Sequence, residues 1–400
     1  MTDQSRARPL VTQVIQGFRE EFSVEDPRVF FAPGRVNLVG AHLDYNGGPV
    51  LPIAVDRGVY AAARLRTDGQ IRLRSLDRSP GLDIAVGELE PSRVAAHDWA
   101  SYPLGVWWQF KQKTGHGSGM DLMFGSDLPI ASGLSSSAAL EVSTALALDA
   151  LHGSSLPAVE LAMLGFRAET EYVGLQCGIM DQFASALGRE GYALLLNCAD
   201  ATYEHVPFDA RAAEVLVMDS GVPRRLGDTS FNDRVAECSE AYRVLRAFRE
   251  RPCLAAYDAA DLAAAGEALH GACRMRAEHV VREVGRVASA VDGLRRGDLA
   301  ILGRSLNESH DSTRDLFEVS SPELDVLTGA ARELDEVYGA RLTGAGFGGC
   351  AIALIHPGSS AVVEAHVEQK FEDRFGRRPH FDLLREGHGP MEFVPNGEPA

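Results

Sequence analysis

The stretch PGRVNLVGAHLDYNGGPV, Pro33 to Val50, opens apolar and then crowds Arg35, Asn37, His42, Asp44, Tyr45 and Asn46 among four glycines. Glycine lets a backbone turn tightly and approach a ligand or another loop closely. Such a density of polar side chains is unusual in a segment that begins like a buried strand. Ala41 stands out between Gly40 and His42, because its methyl group adds no polar function where its neighbours do.

The chain around this stretch has 400 residues, 45% hydrophobic and 24% charged. Those values describe a globular chain of two or three domains, or one large two-lobed enzyme. With 39 basic and 56 acidic residues the formal net charge is −17. Binding to nucleic acid or an anionic membrane draws on a basic surface, so neither partner is expected. An anionic ligand in a locally positive pocket stays compatible with that charge. The six cysteines, Cys177, Cys198, Cys238, Cys253, Cys273 and Cys350, form no C-x-x-C pair. Buried reduced thiols are expected rather than a metal cluster or a disulfide framework. The opening MTDQSRARPLVTQV lacks the apolar core of a signal peptide, and no run reaches 18 uncharged apolar residues. A cytoplasmic location is the expectation.

Outward from the quoted stretch, residues 10–24 have the spacing of an amphipathic helix. VFFAP, VLPIAV, GVYAAARL and QIRLRSL read as short strands, WASYPLGVWWQFKQK (99–113) as a helix and DLMFGSDL as a strand. Helices are expected near 136–151 and 157–174, followed by strand-like GYALLLNC and AEVLVMDSG. From 233 to about 300 helical spacing dominates; a helix at 322–336 and a buried strand at Cys350–Ile355 follow. The mixture predicts an α+β fold in two lobes with a boundary near 205–215, and the last dozen residues read as a loose tail.

Two glycine-rich loops can approach a ligand. PIASGLSSSAALEV (129–142) runs from a loop into a helix whose start offers serine hydroxyls and free N–H groups. Taken alone it is a capped helix or a phosphate site, since a helix N-terminus suits an anion. No lysine stands where a P-loop needs one. GAGFGG (344–349) formally matches G-x-G-x-x-G, but that fingerprint requires a helix after it, and CAIALI reads as a strand. Two acids complete the set: Asp181 in GIMDQFASALG and Glu169 in FRAETEYVG. Alone, the first reads as a helix cap and the second as part of a solvated helix face.

In order and spacing, Gly34–Gly48, Pro129–Ala139, Gly178–Gln182 and Leu342–Gly349 resemble the motifs of GHMP kinases, and more narrowly of galactokinases. The family's opening motif, close to G-R-V-N-L-I-G-E-H-T-D-Y-N-G-G, is matched at all but three positions. The agreement extends through WASYPLGV, AETEYVGLQCGIMDQ, SGVPRRL…FNDRVAEC and RDLFEVSSPELD, over about residues 15–385. The resemblance implies an N-terminal lobe like ribosomal-protein-S5 domain 2 (1–210), with a sugar motif at 33–50, a phosphate loop at 129–139 and a catalytic loop at 178–182. It implies a ferredoxin-like C-terminal lobe (211–385) with a glycine loop at 342–349, a tail at 386–400, and an active site in the cleft.

By the same resemblance the reaction is transfer of the ATP γ-phosphoryl group to the anomeric hydroxyl of galactose. Asp181 would take or orient the hydroxyl proton, and Arg35 would offset the charge on the transferring oxygens. Ser137 and Glu169 would contact Mg²⁺, a cation that keeps much of its hydration. Ala131, Ser132, Gly133, Leu134, Ser135, Ser136 and Ser137 would cradle the phosphates. Trp99 and Tyr102 fall near the family's adenine site, though core packing suits them equally. The partners implied are a small sugar and ATP, with no nucleic acid and no membrane; a monomer is compatible with the sequence. A regulator that binds sugar and ATP without turnover is a further alternative, but the loop, Glu169, Asp181 and Arg35 are all intact.

Among the sugar-contacting positions, His42, Asp44, Gly178 and Asp181 match, whereas the family's Glu, Thr and Tyr are replaced by Ala41, Leu43 and Phe231. Losing one charge-assisted hydrogen bond costs about 1.5–3 kcal/mol, or roughly ten- to hundredfold in binding. Two substrates remain open: galactose in an altered pocket, or a sugar altered at C6, as in plant galacturonokinases, which resemble this chain in carrying G-A-H. Arg224 or Arg225 could supply a positive partner for a C6 carboxylate; surface solvation is the alternative for both.

Overall fold

The computed structural model describes residues 3–91, 99–129, 133–209, 211–222 and 229–393, with the backbone alone for 3–8 and 229. The N-terminal part runs α1 (Asp3–Phe22), β1 (Arg28–Val39), β2 (Pro49–Arg66), β3 (Gln70–Ser75), β4 (Leu82–Ala85), α2 (Ser101–Thr114) and β5 (Gly119–Ser126). It continues through α3 (Ser136–His152), α4 (Ala158–Arg167), α5 (Met180–Leu187), β6 (Tyr192–Asn197) and β7 (Thr202–Pro207). The second part comprises β8 (Glu214–Asp219), α6 (Thr229–Phe248), α7 (Ala259–Ala265), α8 (Gly271–Arg296), α9 (Leu299–Asp315) and α10 (Pro322–Ala331). It ends with β9 (Val337–Leu342), β10 (Cys350–Ile355), α11 (Ser360–Phe375), β11 (His380–Leu384) and β12 (Met391–Phe393).

β1 explains the apolar start of the opening stretch. Successive strand side chains point to opposite faces, and here both faces are covered. Phe30 and Ala32 enter the large core, while Val29 and Phe31 meet Val11, Val14, Ile15 and Phe18 of α1. A strand buried on both sides reads as a continuous apolar run. The sheet order is β12-β1-β2-β5-β3-β4, with β6 pairing the start of β2 and β7 lying beyond it. Among the described residues only β3 and β5 pair in parallel. α3 packs on β1 and β2, with α2, α4 and α5 around it.

The second sheet, β11-β8-β10-β9, is antiparallel, and α9 and α10 lie on it. Between the sheets, α8 reaches back to β1 and β2 and so carries its side chains to the opening stretch. Among the described residues no helix is long and apolar enough to cross a membrane.

Four expectations change. VLPIAV and GVYAAARL belong to one continuous strand, β2, because β1 pairs with both halves across a bulge. The helix expected to reach 174 is α-helical only to Arg167 and continues as a π-helical turn, Ala168–Val173. The helix expected over 322–336 stops at Ala331, before β9 begins. The expected tail is not loose over its described part: Glu386 bridges Val55, and β12 pairs with β1. Phe393 packs on Phe31 and Tyr60 there, so an apolar side chain and a free strand edge are covered together. The boundary read at 205–215 falls between β7 of one sheet and β8 of the other.

Candidate active site

Arg35 lies on β1 and is 4% exposed. Its Nε and Nη2 donate to Asp181 Oδ1 at 2.7 and 2.6 Å, and its Nη1 donates to the Gly133 carbonyl at 2.8 Å. The neighbouring Gly34 allows this approach, because a Cβ there would come within 2.6 Å of the Leu134 carbonyl oxygen and of a Leu128 methyl. Instead the Arg35 N–H donates to that Leu134 carbonyl at 3.0 Å, tying β1 to the loop before α3. Ser135, in a left-handed conformation (φ 60°) at the cap of α3, donates from Oγ to Asp181 Oδ2 at 2.5 Å. Asp181, in the first turn of α5, thus accepts at both oxygens. A carboxylate bonded this way is fixed in orientation.

Two acids gather beside this pair. Glu169, in the π-helical turn, accepts from Gln182 Nε2 at 2.7 Å and from the Cys177 thiol at 3.4 Å. Gln182 also donates to Glu141 of α3 at 2.9 Å. Burial, then the charge of Glu169, pushes the Glu141 carboxyl well above its usual range; burial and Asp181 raise Glu169. Burial and Glu169 also push up the Cys177 thiol. Ser137 stands half-buried in the first turn of α3, one helical turn before Glu141. Among the described residues no three His, Cys, Asp or Glu side chains form a ready metal cage.

A cavity of about 160 Å³ opens next to Asp181, lined among others by Asn37, Ala41, His42, Asp44, Phe231 and Arg341. Gly178 must be glycine here, since a Cβ would sit 2.3 Å from Asp44 Oδ2. Burial and then Asp181 raise the Asp44 carboxyl to about 6, partly offset by backbone N–H groups and Arg35. His42 stacks on Phe317 with centroids 4.5 Å apart, and its Nδ1 lies 3.0 Å from the Tyr45 hydroxyl. Burial, with His279 and Arg341 nearby, keeps this imidazole neutral well below its usual range. Phe231 of α6 meets Tyr45 edge-on at 5.6 Å.

Ala41 is clamped through its backbone from α8. Its N–H and that of Gly40 both donate to Glu283 Oε1 at 2.9 Å, and its carbonyl accepts from His279 Nε2 at 3.0 Å. Burial alone would raise Glu283, but Arg286, His279 and Arg341 outweigh it and hold the carboxyl at about 2.

The structure thus brings Arg35, Asp181, Ala41, His42, Asp44, Gly178, Phe231 and Glu169 around one cavity. Leu43 does not join them: it is fully buried in the core, because the 3-10 turn at Asp44–Asn46 directs it inward beneath Gly48. Trp99 packs edge-on against Phe124 and donates to the Pro80 carbonyl at 3.3 Å. Tyr102, on α2, lies near the acid cluster; burial, Glu169 and Glu141 push its phenol up. Gly133 and Leu134 reach Arg35 through their carbonyls, and Ser136 is exposed. Ala131, Ser132, Arg224 and Arg225 lie outside the described residues. The sequence reading missed the Ser135 hydroxyl, Gln182, Glu141, Glu283, His279 and Arg341. For Arg341 a signal existed: a charged residue on a strand otherwise buried, immediately before the second glycine loop.

Residues 16–65 match the galactokinase galactose-binding signature, residues 101–189 the GHMP kinases N terminal domain, and residues 290–373 the GHMP kinases C terminal domain. Galactokinase of Roseiflexus sp. (strain RS-1) is 38% identical over 389 residues, 96% of this chain and 97% of that protein. The chain belongs to the galactokinase family. Galactokinase of Streptococcus thermophilus is 39% identical over 374 residues, 92% of this chain and 96% of that one. The crystal structure of Lactococcus lactis galactokinase complexed with galactose superposes with a TM-score of 0.91 at 34% identity, over 95% of this chain and 99% of that one. Mevalonate kinase of Methanococcus jannaschii, at 18% identity and a TM-score of 0.66, shares the fold. This member of the family is an ATP-dependent sugar kinase with the two-lobed GHMP architecture.

Proposed function

We propose that the chain transfers the γ-phosphoryl group of ATP to the anomeric hydroxyl of galactose, giving galactose 1-phosphate and ADP. The observation that carries this reading is the Arg35–Asp181–Ser135 constellation at the wall of a sugar-sized cavity. The C1 hydroxyl donates to the Asp181 carboxylate, which takes its proton as the C1 oxygen–phosphorus bond forms and the β–γ bridge breaks. In such transfers the protein contributes chiefly position and charge. Arg35 pairs with Asp181 and offsets negative charge on the transferring oxygens. Ser135 orients the second carboxylate oxygen. Backbone N–H groups at the start of α3 face the phosphates.

The acid cluster fits Mg²⁺. Glu169 and Asp181 raise the Glu141 carboxyl and Asp181 raises Glu169, Glu141 Oε1 has no hydrogen-bond partner among the described residues, and a divalent cation relieves such crowding. Ser137 and Glu169 would hold the ion, with phosphate oxygens and water completing a shell that needs few protein ligands. Bound there, it would neutralise phosphate charge.

The test is ADP release with ATP, Mg²⁺ and galactose. Sugar-dependent release that falls at least a hundredfold in Asp181→Asn supports the reading, and release unchanged in that variant rules it out.

A further inference from the structure

Around Ala41 three polar atoms have no hydrogen-bond partner among the described residues: Asn37 Oδ1, His42 Nε2 and Arg341 Nε. All three side chains line the cavity that holds Asp181, and all are at least nine-tenths buried. Arg341, on β9, is 1% exposed. Its Nη1 donates to the carbonyls of Leu38 at 3.1 Å and Asn37 at 3.5 Å, and among the described residues no carboxylate lies within 4.0 Å of its nitrogens. Glu283 acts on it through space, but that carboxylate is already in use. Oε1 accepts from Gly40, Ala41 and Ser309, and Oε2 accepts from Arg286. Burial draws the Arg341 guanidinium down to about 10, only partly offset by Glu283. A buried cation without a contact counter-ion is costly, and a carboxylate is its natural partner.

Neighbouring groups point the same way. His42 Nδ1 lies 3.0 Å from the Tyr45 hydroxyl. In the tautomer with its proton on Nε2, Nδ1 accepts from that hydroxyl and Nε2 is a second donor in the wall of the same cavity. Ala41 is held at both N–H and C=O, so its methyl group is fixed in place and brings no acid to Arg341. Asp44, the other recognition acid, lies against Gly178 on the catalytic-loop side.

We propose that Arg341, assisted by His42, is the anion-recognising residue of the sugar pocket, and that the pocket takes, besides galactose, a hexuronic acid of galactose configuration. The inference rests on the sugar 1-kinase reading above and names its substrate class. The chemistry of an aldohexose fixes where the acid sits. Oxidation at C6 gives a carboxylate and keeps both the ring and the anomeric hydroxyl, whereas oxidation at C1 destroys the hydroxyl that is to be phosphorylated. The transfer itself is unchanged: the C1 oxygen gains the phosphoryl group, its proton passes to Asp181, and ADP leaves.

The experiment measures kcat/KM for galactose and galacturonate on the purified full-length chain, with ATP and Mg²⁺. The expected result is a constant for galacturonate equal to or above that for galactose. In Arg341→Gln the galacturonate-to-galactose ratio falls at least tenfold. Because removing a buried arginine can unfold the chain, Ala41→Glu serves as the second variant; it places a carboxylate in the cavity and lowers the same ratio at least tenfold. A wild-type constant lower for galacturonate than for galactose, or an unchanged ratio in Ala41→Glu, overturns the proposal and leaves the kinase reading standing. Turnover of neither sugar sinks both.

Discussion

The two ends of the cavity are finished differently. At the Asp181 end the reacting carboxylate is bonded at both oxygens: Arg35 and Ser135 hold them, and Gly133 holds the far side of Arg35. At the Ala41 end the backbone is clamped equally well, yet Asn37, His42 and Arg341 each keep a buried atom without a partner. The first end is preorganised around a reaction, and the second is complete only with a ligand. Preorganised charge accounts for rate, and unpartnered buried groups account for selectivity, because the wrong ligand leaves them unsatisfied.

Substitutions at each end test that contrast. Asp181→Asn removes the proton acceptor and leaves the shape; kcat is expected to fall about 10²–10⁴-fold, measured by ADP release, with sugar KM little changed. Ser135→Ala removes one charge-assisted bond to the same carboxylate. Its expected cost is about tenfold in kcat, near the lower bound of 1.5–3 kcal/mol for such bonds. A loss in KM instead would place Ser135 in recognition.

Asp44 sharpens the comparison through pH. With its carboxyl raised to about 6, it changes from ionised to protonated between neutral pH and pH 5. On the proposed reading an ionised Asp44 accepts from sugar hydroxyls, so sugar KM is expected to rise as pH falls from 7 to 5 and to stay flat in Asp44→Asn. The stability effect has the opposite sign. A carboxyl raised above its unfolded value favours folding below that value, and this contribution is lost as pH rises through about 6. Asp44→Asn therefore raises Tm at pH 8 relative to wild type, and by less at pH 5. Leu43→Thr is the smallest kinetic test. It opens a void in the core and buries a hydroxyl, at about 2 kcal/mol of stability. Sugar kcat/KM is expected to stay within threefold, because Leu43 does not line the cavity.

Much of this was legible in the chain itself. The glycine pattern, the ordered motifs and the strand at Cys350–Ile355 carried the fold, and the motifs that hold Arg35, Asp181 and Glu169 meet at one cavity. What stayed hidden depends on contacts between distant segments. Glu283 reads as one more charge on a helical surface, yet it is fully buried and caps two N–H groups some 240 positions away. Arg341 sits in a strand whose pairing gives no hint that its side chain crosses to β1 carbonyls. Leu43 misled in the other direction: its place in the motif suggested a sugar contact, but one turn of 3-10 helix sends its side chain to the core. Periodicity reports which face is apolar; it does not report what a buried charge faces.

The return of β12 to β1 has a mechanical meaning. The second sheet is entered after β7 and left after β11, and the chain then closes on the first sheet. The smaller lobe is therefore strung between two backbone crossings, as an insertion within the larger one. Two tethers restrict relative movement far more than one linker does, leaving rotation about the line that joins them. A label fused after Phe393 would sit beside β1, on the larger lobe.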